Sequence, residues 1–257
     1  MKTYHFISGL PRSGTTLLST ILNQNPRFQA SISGPLARFT RAIITESSSQ
    51  GGYKYQCPTD KRKKIINGIF DNYYDDSKKE VIFDTNRGWP LLHSLINNLY
   101  PQSKMLMCVR DISKVLNSFE TLQRKNPFTF TNIFTPEENI NVYTRCEALL
   151  NPNKTLGFAY NCVKQGITGE HRSSIMIIEY ENLAKHPTEI MSAIYNFINE
   201  PVFQHNFNDV EASYDKFDDD VQLSGLHTTR KKIEYIENEM IIPPDIINRV
   251  QGMEVWK

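Results

Sequence analysis

The 257-residue sequence has four cysteines, Cys57, Cys108, Cys146 and Cys162, and none fall in a CxxC pair. That spacing argues against a zinc ribbon or a redox dithiol. Six histidines form no HExxH or comparable ligand pair, so no metal centre is expected. No apolar run approaches the ~20 residues of a membrane span. The opening MKTYHFISGL is interrupted by Pro11 and Arg12 before reaching the roughly 7–15 residues of a secretory apolar region. Excess charge of one sign is also missing: 29 Lys and Arg against 28 Asp and Glu leave +1, which argues against a protein that coats nucleic acid. There is no internal repeat, low-complexity block or long Gly/Ser/Pro linker. These absences leave a soluble, cytoplasmic, globular chain with neither nucleic acid nor membrane as a partner. A composition of 39% hydrophobic and 22% charged residues fits that class, and one α/β domain over residues 1–257 is the expectation.

What is present is an alternation of apolar strands and amphipathic helices. Tyr4–Ser8, Val81–Asp84, Met105–Val109 and Ile175–Glu179 read as buried strands. Helices are expected at Thr16–Leu22, Pro90–Leu99, 112–124, Glu137–Leu150, Thr155–Gly166 and Thr188–Ile198. Continuous apolar strands separated by helices imply a parallel sheet covered on both faces. The fold expected is a three-layer α/β/α architecture around four or five parallel strands. Ser47–Tyr55 has the composition of a mobile loop. With Lys61–Lys64 and Gly225–Lys232 it could flank a site, although the KRKK run also suits a solvated helix face.

The first strand runs into Gly9-Leu10-Pro11-Arg12-Ser13-Gly14-Thr15-Thr16 and then a helix. This is the G-x-x-x-x-G spacing of a phosphate-binding loop, in which backbone N–H groups and the helix N-terminus favour an anion. The two residues after the second glycine depart from the nucleotide-triphosphatase pattern of Lys followed by Ser or Thr. Thr15 stands in the lysine position, and Arg12 is the available cation. The third strand ends in Arg110, with Ser118 eight residues later in the following helix. An arginine at a strand's carboxyl end projects into the crevice where open α/β sheets bind ligands, and Arg with Ser suits a phosphate monoester.

The segment PRSGTTLL resembles the 5′-phosphosulfate loop of the sulfotransferases that use 3′-phosphoadenosine 5′-phosphosulfate (PAPS), a P-loop NTPase-like fold family. The resemblance implies that Arg12, Ser13, Gly14, Thr15 and Thr16 cradle the 5′-phosphosulfate. It further implies that Arg110 and Ser118 bind the 3′-phosphate that distinguishes PAPS from ATP. Ile178–Leu183 with His186-Pro187 resembles another family segment, in which Tyr180 would approach the adenine. Gly225–Lys231 resembles the basic segment over the 3′-phosphate end, carrying Arg230 and, after it, Lys231. The implied activity is metal-independent, in-line transfer of a sulfuryl group to an acceptor hydroxyl or amine of a small molecule or peptide.

Catalytic groups follow less directly. Arg12 and the loop amides suit the oxygens of the transferred group. Relatives of this kind use a histidine base, or in tyrosylprotein-type members a glutamate shortly after the first helix. Here Ser31–Leu36 holds no carboxylate, which counts against peptide tyrosine sulfation. The second strand ends in Asp84-Thr85-Asn86-Arg87, with Thr85 where relatives carry a lysine. Arg87 is the replacement cation and Asp84 the candidate base, with a structural Asp–Arg ion pair as the alternative; His227 is a second candidate base. Trp89, Phe128, Phe130, Phe134 and Tyr143 are available for an apolar acceptor pocket or for core, and 126–135 is a candidate acceptor loop. Two other readings stay open: a kinase needing ATP and Mg²⁺, and a nucleotide-binding module without turnover.

Overall fold

The computed structural model describes residues 2–49, 51–212 and 214–257. Five parallel strands, β1 (Thr3–Gly9), β2 (Phe28–Ala30), β3 (Val81–Thr85), β4 (Met105–Val109) and β5 (Ile175–Glu179), form one sheet in the order β2-β3-β1-β4-β5. Eleven α-helices are present among the described residues: α1 (Thr15–Leu22), α2 (Leu36–Glu46), α3 (Thr59–Tyr73), α4 (His93–Leu99), α5 (Ile112–Lys125), α6 (Val142–Leu150), α7 (Thr155–Thr168), α8 (Tyr180–Lys185), α9 (Pro187–Ile198), α10 (Asp215–Val221) and α11 (Pro244–Val250).

Side chains alternate across a strand, and this divides the core into two apolar layers. Tyr4 and Phe6 of β1 with Met105, Met107 and Val109 of β4 face Phe70 of α3, Ile96 of α4, Val115 and Phe119 of α5 and Leu156 of α7. Ile7 of β1 with Leu106 and Cys108 of β4 face Leu18 and Ile21 of α1, Leu183 of α8 and Ile194 and Tyr195 of α9. The expected three-layer architecture is therefore present. The strand absent from the sequence reading is β2, a three-residue edge strand paired with β3, too short to show a period.

Helix boundaries follow local chemistry. Asn141 opens α6 by accepting from the N–H groups of Tyr143 and Thr144, while the Thr144 hydroxyl accepts from the Asn141 N–H, a reciprocal cap. Glu138 instead accepts from the Thr135 N–H in the preceding turn. The helix therefore starts at Val142 rather than at the expected Glu137. Pro90–Leu99 divides into a 3₁₀ turn over Trp89–Leu92 and then α4. Gln50, within the expected loop Ser47–Tyr55, lies outside the described residues.

Chain order and spatial order diverge at β1, whose neighbours are β3 and β4. Ligand crevices of open parallel sheets form at the carboxyl ends of strands where the order reverses. Here that edge carries residues 10–14 after β1, 86–88 after β3 and 110–111 after β4.

Candidate functional site

The loop after β1 is held in a conformation that its sequence specifies. Gly9 has φ of +138°, and a Cβ there would come within 2.0 Å of the Cys108 carbonyl oxygen on β4. Glycine is required for that approach. Gly14 has φ of +91°, and a Cβ would meet the Tyr180 ring at 2.9 Å. Arg12 itself sits at φ of +58°, a left-handed conformation costing a non-glycine residue about 1–2 kcal/mol. It is held by three contacts: the Arg12 carbonyl accepts from Arg110 Nη1 at 3.2 Å, Arg12 Nε donates to Ser118 Oγ at 3.1 Å, and Arg12 Nη1 donates to the Leu226 carbonyl. The Ser13 hydroxyl turns inward to the Leu10 and Cys108 carbonyls at 2.6 and 2.9 Å. What Ser13 can offer a ligand is thus its backbone N–H. The first-turn N–H groups of α1 have no partner within the helix.

Arg110 begins where β4 ends, and Asp111 caps α5 by accepting from the N–H groups of Ser113 and Lys114 at 2.8 and 3.3 Å. The Arg110 guanidinium lies 4.4 Å from the Tyr180 ring centroid and 3.6 Å from Glu181 Oε1, and Lys114 approaches the same oxygen at 3.4 Å. Arg110 is buried, and its Nε has no hydrogen-bond partner. That nitrogen faces the Glu181 carboxylate at ion-pair rather than hydrogen-bond distance.

These groups line a cavity of about 210 Å³ with Arg12, Gly14, Thr15, Thr16, Arg87, Arg110, Ser118, Tyr180 and Arg230 all on its wall. Lys232 adds a fifth cation to Arg12, Arg87, Arg110 and Arg230, and Glu234 is the sole acidic residue among the described residues on the wall. Lys231 does not line it; Lys232 does. Burial and the nearby Arg110 cation push the Arg12 pKa down to about 10, still a cation at neutral pH.

A second cavity of about 500 Å³ adjoins the first. Thr15, Arg87, Leu226 and His227 line both, so they form the seam between them. Arg87 is set there by a turn in which Gly88 N–H donates to Asn86 Oδ1 at 2.8 Å, Asn86 Nδ2 to the Gly34 carbonyl at 2.7 Å and Ser8 Oγ to the Arg87 carbonyl at 3.2 Å. Its surface opens to the cavities, while the surrounding protein lowers its pKa by burial. His227 is held by Asp218: Nδ1 lies 2.6 Å from Oδ1, and the His227 backbone N–H donates to Oδ2 at 3.1 Å. Burial lowers the His227 pKa and Arg87 and Arg12 act the same way, against the opposing pull of Asp218.

Asp84 is not at the seam. It is fully buried, lines neither cavity, and accepts hydrogen bonds from Tyr74 Oη at 2.6 Å and Trp89 Nε1 at 2.8 Å. Burial raises its pKa to about 6. No ion pair joins it to Arg87 among the described residues. The structure thus separates the two strand-end residues that the sequence suggested as partners, because Asp84 is still within β3, whereas Arg87 lies in the turn that follows it. Of the aromatic residues offered for an acceptor pocket, Trp89 is core, Phe134 packs on the core, and Phe128, Phe130 and Tyr143 are exposed. The aromatics on the second cavity are Phe119 and Phe158, and from 126–135 only Ile133 lines it. His227, the second candidate base, does reach the site, and Lys232 comes from the Gly225–Lys232 stretch expected to flank one; Asp218 and the two arginines Arg38 and Arg41 of the second cavity were not assigned from sequence. The signal for Asp218, Arg38 and Arg41 is spatial, since α2 and α10 carry no motif.

Fold and site together define an α/β protein with a cationic cavity at the carboxyl edge of a parallel sheet, opening onto a larger second cavity. The chain belongs to the sulfotransferase family, whose profile matches residues 5–205. It is 27% identical over 210 residues to protein-tyrosine sulfotransferase 2 of Gallus gallus, covering 75% of this chain and 50% of that protein, so the chain spans half the length of this curated relative. Its fold matches the sulfotransferase domain from the curacin biosynthetic pathway with a TM-score of 0.57 at 14% identity, covering 97% of this chain and 96% of that one. It also matches retinol dehydratase, solved with retinol and 3′-phosphoadenosine 5′-phosphate (PAP), with a TM-score of 0.55 at 12% identity over 98% of this chain and 80% of that one. No helix of the described residues is long and apolar enough to cross a membrane.

Proposed function

We propose that this protein transfers a sulfuryl group from PAPS to a hydroxyl or amine of a small acceptor, with the whole chain acting as one cytoplasmic domain and without a metal. The observation that carries this is the seam: a cavity with five cations on its wall meets a larger, partly apolar cavity at Thr15, Arg87, Leu226 and His227. The residues present fit the donor. Residues 12–16 offer backbone N–H groups and a guanidinium to a 5′-phosphosulfate. Arg110 and Ser118 offer donors to a 3′-phosphate, with Arg230 and Lys232 on the same wall. Tyr180, stacked on Arg110, presents an aromatic face to adenine. The donor supplies the electrophilic sulfur when bound.

The chain's residues supply position, charge and a proton acceptor. Arg87 and Arg12 place positive charge where oxygens of the transferred group gain negative charge. His227 takes the acceptor's proton: with Nδ1–H donating to Asp218, the lone pair resides on Nε2, and the lowered pKa keeps the ring neutral at neutral pH. This role replaces Asp84 as base. A tyrosine-bearing peptide is the second acceptor class, favoured by the similarity to the chicken protein, although 31–36 lacks a carboxylate.

The test is thermal stability with PAP, ADP, AMP and ATP–Mg²⁺ in parallel, since a ligand that binds the folded state raises Tm. A shift with PAP that exceeds the shifts with AMP and ADP supports the donor site. A shift with ATP–Mg²⁺ alone overturns it in favour of a kinase.

A further inference from the structure

The larger cavity holds three arginines, Arg38, Arg41 and Arg87, and among the described residues no Asp or Glu lines it. Among the described residues none of the three is in an ion pair. All three are solvent-exposed. Arg38 and Arg41 are three residues apart on α2 and so share a helix face. Both line the larger cavity and neither lines the smaller one, so they lie off the seam. Facing them are apolar groups from four other parts of the fold, including Phe119, Ile133, Phe158 and Leu226.

A wall of this kind recognises two things in one molecule. Apolar side chains bury a hydrocarbon or aromatic body, and unpaired guanidinium groups bind a carboxylate, phosphate or sulfate with charge-assisted, often paired hydrogen bonds. Resting on the sulfotransferase reading, we infer that the acceptor is an anionic amphiphile: a hydroxylated molecule whose acid group is held by Arg38 and Arg41 while its hydroxyl reaches the seam at His227. Arg38 and Arg41 then act as specificity determinants that select an acid over its neutral analogue. A volume of about 500 Å³ is within the range of small-molecule pockets.

The test is direct binding to the full chain saturated with PAP, by calorimetry, using matched pairs of probes. The probes are ω-hydroxyalkanoates of several lengths and 4-hydroxyphenylalkanoates, each as the free acid and as its methyl ester. The expected result is that at least one acid binds roughly tenfold or more tightly than its ester. That preference should shrink with added salt and disappear in Arg38→Gln/Arg41→Gln, while the ester's affinity and the PAP-induced Tm shift stay as in the parent. Esters binding as tightly as acids, a preference that survives the double substitution, or no binding of either class across the panel would overturn it. Failure of the donor reading is separately visible, because PAP would then give no Tm shift whatever the probes do.

Discussion

The two cavities that meet at Thr15 and Arg87 are built in opposite ways. The smaller one is made chiefly from residues that follow three strands, within 11–17, 87 and 110–118, closed by the segment 226–238. Its character is set by five cations and by backbone held at positive φ. The larger one draws on α2, the turn at 86–92, α5, α7 and the stretch around 221–227. Its character is set by which distant side chains happen to converge. A cavity of the first kind tolerates little change in any single residue, and one of the second kind can alter its guest by changing helix surface residues.

The largest expected effect comes from the seam, where both cavities must be served at once. His227→Ala should lower kcat by about 10²–10⁴-fold, the usual range for loss of a general base, with the PAP-induced Tm shift retained. Asp218→Asn should also lower kcat, by removing the group that orients the ring. It should move the acid limb of the kcat–pH profile further down, because Asp218 raises a His227 pKa that already lies below the ordinary 6.5. In the proposed mechanism neutral His227 carries activity in the parent, which should therefore rise with pH through that limb. An acid limb unmoved by Asp218→Asn would detach the pair from proton transfer.

A smaller effect, confined to one side, is expected from Arg110→Ala. Removing a charge-assisted contact with a 3′-phosphate should weaken PAP by roughly 10–100-fold and leave AMP, which lacks that phosphate, unchanged. Affinity for both nucleotides falling together would mean that Arg110 supports the Tyr180 ring and the Arg12 carbonyl without contacting the 3′-phosphate, and the comparison between the cavities would need a different anchor. Truncating Arg38 and Arg41 is the mirror experiment, with its effect on the other cavity alone.

Legibility in the sequence follows the same division. Gly9, Arg12, Gly14 and Arg110 were readable because a glycine-flanked turn after an apolar strand, and an arginine ending another, are local signals whose geometry the chain itself dictates. Four of the five strands and the alternation of layers were readable for the same reason. β2 was not, since three residues carry no period. The larger cavity was not readable either: nothing near Arg38 or Arg41 in sequence tells that α2 faces Phe119 of α5 and Phe158 of α7. Asp218 and His227 are nine residues apart in a segment without apolar rhythm, and only the fold brings them within 2.6 Å. Asp84 misled because strand-end position was taken as access. In register it pairs with Phe6, and its side chain enters the same layer as Tyr74 and Trp89.

The smallest effect on turnover is therefore expected where the sequence pointed most directly to a base. Asp84→Asn should leave kcat close to the parent's, because the residue touches neither cavity and its oxygens already serve Tyr74 and Trp89. Its effect should appear in stability against pH. Burial raises the Asp84 pKa from 3.8 to about 6 in the folded chain, so the folded state holds this proton more tightly than the unfolded state. The stability this group contributes is then fully present below pH 3.8 and is lost as pH rises through about 6. Across that window the slope from one proton reaches at most about 1.4 kcal/mol per pH unit. An asparagine keeps the shape and does not titrate, so the difference in unfolding free energy between variant and parent should drift in the variant's favour from pH 4 to pH 7. Denaturant melts at a series of pH values, run beside kcat, separate the two roles. A flat difference with a collapse in kcat would return Asp84 to the reaction, whereas a drift with kcat intact fixes it as a buried acid that binds the 3₁₀ turn at Trp89 to the end of α3.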